Sequence, residues 1–149
     1  MYLRFARTAL ATVALILALD QPALAGADSH LAGGGTATIS QVAFNVSIDA
    51  AGTASGEFNC LMAGRSAFVL PTFGLKHIMH VDAMPTQARV GGSTVTFSGP
   101  ARLIMDNGTH LDVHVSVWAN SATQEFQLTV VEIGTLPVEH MLTGQFSLH

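Results

Sequence analysis

The sequence predicts an all-β domain, an antiparallel meander of about seven to nine short strands. The meander is expected to close as a small β-barrel, with a β-sandwich as the alternative packing. Three observations predict it. Apolar and polar residues alternate along most of the chain, turn residues recur about every ten positions, and no window holds a helical period.

Each element follows from the residues in order. Val42, Phe44, Val46 and Ile48 share one face of a strand, with Ala43, Asn45 and Ser47 on the other. Asp49-Ala50-Ala51-Gly52 makes a hairpin turn, and the return strand aligns Gly56, Phe58 and Cys60. Ala67 to Gly74 is apolar without alternation, and Pro71 marks it as an edge or packed loop, either a barrel cap or the rim of an apolar pocket. Extended character resumes from Leu75 to Ala83, and Met84-Pro85-Thr86 turns the chain. Gln87–Val90 and Ser93–Ser98 form two short strands joined at Gly91-Gly92. The clearest hairpin sets Ala101, Leu103 and Met105 before an Asp106-Asn107-Gly108 turn and Leu111, Val113, Val115 and Val117 after it. Asn120 to Thr123 turns again. Phe126, Leu128 and Val130 line a strand, Gly134 to Pro137 is a loop, and Leu142, Gly144, Phe146 and Leu148 line the last strand.

Ahead of this pattern stands the layout of a secretory signal peptide. Arg4 and Arg7 precede an apolar run from Thr8 to Leu19, then Asp20, Pro22 and the small-x-small triplet Ala23-Leu24-Ala25. The run is shorter than the ~20 residues that span a bilayer. The expected organisation is therefore a signal peptide over 1–25, a flexible Gly-rich lead-in over 26–35 and a single β-domain over 36–149. No transmembrane segment is expected after cleavage. No Cys follows the cleavage region, which points to a free protein in the periplasm or the medium rather than a lipid-anchored one.

Composition narrows the functions. Past residue 25 only Arg65, Lys76, Arg89 and Arg102 are basic, against nine acids. That is too little positive charge for nucleic acid or an anionic lipid surface. The single Cys60 leaves no internal disulfide, so the core must hold the fold alone, with the thiol read as a small buried hydrophobe.

The best candidate for chemistry is His110-Leu111-Asp112-Val113-His114. Positions i, i+2 and i+4 of a strand share a face, so two imidazoles and a carboxylate stand side by side, a donor set suited to zinc. A half-buried strand also needs polar residues on its outer face, which accounts for the same three residues without a metal. His77, His80 and Asp82 form a second cluster, able to converge with the first only if the two strands are neighbours. Trp118 and Phe68 are candidates for a surface that meets a partner. No catalytic residues are assigned. Gly64-Arg65-Ser66 does not make the strand-to-helix elbow of a serine hydrolase.

Gly33-Gly34-Gly35, Phe44-Asn45-Val46, Val90-Gly-Gly-Ser-Thr-Val-Thr-Phe-Ser-Gly-Pro-Ala-Arg-Leu103 and Leu142-Thr-Gly-Gln-Phe146 together resemble the small exported bacterial β-domains of the post-COAP type, over most of Gly33 to Leu148. The chain departs from that pattern where those domains carry an acidic Gly-rich loop, holding Trp118-Ala-Asn-Ser-Ala-Thr-Gln124 instead. The resemblance implies fold and export, and no functional residue transfers with it. The expected role is non-enzymatic, binding or structural. The alternatives are a small barrel that takes an apolar ligand and a His/Asp metal-binding protein.

Overall fold

The computed structural model describes residues 28–63 and 78–149. These form one antiparallel sheet of ten strands. The strands are β1 (Ser29–Ala37), β2 (Gln41–Ile48), β3 (Ala54–Ala63), β4 (Ile78–Ala83), β5 (Gln87–Gly91), β6 (Thr94–Met105), β7 (His110–Asn120), β8 (Glu125–Val130), β9 (Gly134–Thr135) and β10 (Glu139–Leu148). No helix occurs among the described residues. The expected signal peptide and cleavage site, the apolar stretch from Ala67 to Gly74, and His77 lie outside the described residues.

Pairing runs β10-β1-β2-β3-β4-β6-β7-β8, and β8 pairs back to β10, so eight strands close a ring. β5 and β9 lie off that path, against β6 and β8 respectively. Alternation decides which side chains fill the ring. Val42, Phe44, Val46 and Ile48 of β2 are buried while every residue between them is exposed. The same period drives Val113, Val115, Val117 and Ala119 of β7 inward. At the centre, Phe44 meets the rings of Phe146, Phe58, Phe126 and Phe97 at centroid distances of 4.8, 5.3, 5.7 and 6.4 Å. Each buried phenylalanine contributes about 1.5–3 kcal/mol by leaving water. With no disulfide among the described residues, these rings carry much of the stability.

The structure corrects the sequence reading at four places. The 26–35 segment, expected to be a flexible lead-in, enters β1, which pairs with both β2 and β10. Glycines have no side chain to alternate, so Gly33-Gly34-Gly35 hid this strand. They are needed because the strands press close here. A Cβ at Gly35 would overlap the Thr143 carbonyl oxygen, and one at its ladder partner Gly144, where φ is +73°, would overlap that of Gly34. The expected loop from Gly134 contains the two-residue β9, which with β1 brings the strand total to ten. Leu142, expected inside, is 63% exposed, because a register shift opposite Thr36/Ala37 inserts one residue and reverses the alternation of β10. Leu111, also expected inside, is 45% exposed. β8 pairs β7 only from Val115 to Asn120, so the first residues of β7 overhang without a strand on that side.

Candidate functional site

β7 turns its even-numbered residues outward. His110, Asp112 and His114 are all exposed on that face, as the alternation predicted, with Ser116 and Trp118 half-buried farther along it. The neighbouring strands extend the face into rows. Asp112 lies opposite Arg102, Arg102 opposite Asp82, and Asp82 opposite Asn59. His110 lies opposite Ile104, and Ile104 opposite His80.

β4 and β7 are therefore not neighbours. β6 runs between them and places Ile104 between the two imidazoles. The histidine side chains also have partners that draw them apart. His80 Nε2 is 3.2 Å from Asn59 Oδ1, on the side away from His110. His114 is held by Glu132, from the turn after β8. The His114 backbone N–H donates to both carboxylate oxygens, at 3.0 and 2.9 Å, and its Nδ1 lies 3.0 Å from Oε1. The backbone bond, followed by the ring bond, holds the Glu132 carboxyl below its ordinary range. Asp112 forms a 4.0 Å pair with Arg102 in which both side chains are largely exposed, so it adds little stability. Among the described residues, no three His, Cys, Asp or Glu side chains come together to hold a metal ion. His110, Asp112 and His114 share a face but are not gathered about one point.

Between these rows the outer face has a depression of about 380 Å³, lined by Glu57, Asp82, Met84, Arg102, Asp112 and His114 among others. Met84 is 64% exposed at its edge, in the short break between β4 and β5. Of the two residues expected to mark a partner surface, Trp118 is half-buried on the outer face between Thr96 and Gln127. Phe68 lies outside the described residues.

A polar cluster inside the ring went unread in the sequence. Glu139 of β10 is 2% exposed, and Ser40, in the connection between β1 and β2, is buried beside it. The Ser40 hydroxyl lies 3.0 and 2.9 Å from the two Glu139 carboxylate oxygens, and the Ile39 N–H donates to Oε2 at 3.0 Å. Burial pushes the Glu139 carboxyl up, and donation from the Ile39 N–H, the Ser40 hydroxyl and the Ser40 N–H partly offsets it. Cys60 of β3 is fully buried next to Ser40. Burial pushes its thiol up to about 12, so it stays protonated and is no nucleophile at neutral pH. Among the described residues the Ser40 hydroxyl bonds the Glu139 carboxylate and no imidazole. A polar residue at an inward position of β10 was the available signal, and that strand's reversed alternation concealed it.

Compared with protein families, curated proteins and solved structures, the chain matches none. Among the described residues no helix is long and apolar enough to cross a membrane.

Proposed function

We propose that this chain is an exported bacterial protein whose ring of strands is a small closed barrel with a non-catalytic, binding or structural role in the periplasm or outside the cell. The observation that carries this reading is the filled interior. Four phenylalanine rings pack around Phe44, so a partner is to be met on the outer face. The depression beside Met84, which joins a large exposed apolar side chain to charges of both signs, is the contact region this reading favours. Export rests on the signal-peptide layout of residues 1–25 and on the resemblance to post-COAP-type domains.

Two measurements test it. The full chain expressed in a bacterium should leave the cytoplasm and yield a mature N-terminus at Gly26. Retention of the uncleaved 149-residue chain in the cytoplasm would refute export. The mature protein titrated with N-phenyl-1-naphthylamine should show no saturable uptake. A one-to-one binding curve would replace this reading with that of an apolar-ligand carrier.

A further inference from the structure

β7 is longer than the strand beside it. β8 pairs it only from Val115 to Asn120, and the turn after β8 takes one residue more. That residue is His114, whose carbonyl accepts from the Val131 N–H at 2.8 Å and whose N–H donates to the Glu132 carboxylate. Both backbone groups of His114 therefore point away from β6. Backbone direction alternates along a strand, so the N–H and C=O of Asp112 and His110 point the same way. Among the described residues no strand pairs with them there, and His110, Leu111 and Asp112 are all exposed. The result is a short open sheet edge with an apolar side chain at its middle, since Leu111 is 45% exposed.

An open edge accepts another strand, and this one is complementary to itself. In an antiparallel pairing about a two-fold axis through Leu111, His110 lies opposite Asp112 of a second copy, and Asp112 opposite its His110. These are the residues whose backbone groups face outward, so each pair exchanges two N–H···O=C bonds, four in all. On the outer face an imidazole then meets a carboxylate, twice over. On the inner face the two Leu111 side chains cover each other. Moving the axis to His110 sets imidazole against imidazole, and moving it to Asp112 sets carboxylate against carboxylate. The side chains thus select one register.

We propose that the protein pairs with a second copy of itself through the β7 edge at His110–Asp112, joining the sheets of two rings into one. Two features set the limits of the contact. Glu132 already occupies the His114 N–H at one end. At the other, Gly108, with φ of +81°, turns the chain back toward β6. His110 and Asp112, which share a face in one copy without gathering about a point, acquire partners across the axis. The contact runs along the edge of β7 and is distinct from the depression beside Met84. Its small extent places it in the weak, reversible class of interfaces.

Sedimentation equilibrium of the purified protein should show monomer and dimer in exchange, with a Kd of about 0.1 mM. His110→Asp sets carboxylates opposite each other in both pairs and should weaken the dimer by about tenfold. Adding Asp112→His restores imidazole to carboxylate with the sides exchanged, and should recover most of that loss. Leu111→Cys gives an independent reading. Opposed residues of a non-hydrogen-bonded pair lie within disulfide reach, and Cys60 is buried and protonated, so mild oxidation should link two copies through position 111. Leu142→Cys, at a site on β10 that is 63% exposed, should link about tenfold more slowly. A protein that stays monomeric to about 1 mM overturns the pairing. So does a His110→Asp loss that the second substitution does not recover, or equal linking at 111 and 142, and the edge then belongs to a strand of another protein.

Discussion

Replacing Phe44 with Ala tests whether the ring is held by its aromatic centre. Phe44 is buried, with four other phenylalanine rings within 6.4 Å of its centroid. Removing a buried phenylalanine ring costs about 3–5 kcal/mol, part for lost transfer out of water and part for the cavity left behind. Aromatic pairs add about 0.5–1.5 kcal/mol each beyond burial. Four partners lose a neighbour here, and strands fixed on both sides cannot collapse into the gap. The expected loss is therefore about 4–5 kcal/mol, or a fall in Tm of about 15 °C for a domain of this length. Urea unfolding followed by the fluorescence of Trp118, the only tryptophan in the chain, gives the free energy directly. Phe44→Leu, which keeps most of the volume, should cost less than half as much. A loss below about 1.5 kcal/mol with an unchanged m-value would refute the reasoning. It would mean that the interior is loosely filled, as a ligand-carrying barrel would be.

Other outcomes follow from single contacts. Gly35→Ala and Gly144→Ala each drive a methyl into a neighbouring strand's carbonyl, so each should lower stability by more than about 3 kcal/mol or prevent folding. Gly108→Ala has open space and pays only for its φ of +81°, about 1 kcal/mol, and thermal melts separate the two cases. Glu132→Gln should lower Tm slightly at pH 7. Because His114 holds the folded carboxyl below its unfolded value, that contribution is present above the unfolded value and lost as pH falls through the folded one, so the variants should converge in acid. Zinc near millimolar concentration should leave the Tm of the wild type unchanged to within about 2 °C, since Glu132 and Arg102 already engage His114 and Asp112. A rise that disappears in His114→Ala would show that the three residues regroup around a metal.

The hairpins were legible because their signals are local. The inward side chains of β2 and the Asp106-Asn107-Gly108 turn between β6 and β7 each follow from a few adjacent residues. β1 was not, since the glycines that let it lie against β10 erase the period by which a strand is recognised. The outward face of His110, Asp112 and His114 followed from alternation alone. Their partners did not. Glu132 meets His114 only because the turn after β8 folds back over the overhanging part of β7, a matter of strand lengths rather than residue types. Glu139 was hidden for a related reason. One inserted residue in β10 sets its first two residues out of phase with its last, so its inward side could not be read from Phe146 and Leu148.

The position of β1 has a consequence for how the chain reaches its native state. One of its two neighbours is β2, a few residues on, but the other is β10, and the bond from the Thr36 N–H to the Thr143 hydroxyl spans 107 positions. While the chain is still being synthesised, β1 can form only half its ladder, leaving a bare glycine edge facing solvent. The ring can close only after the last described strand has emerged. Contacts of such long range make folding slow and leave the open edge prone to wrong pairing in the interval. A chain carried unfolded to another compartment would avoid that interval until all of its strands were present together.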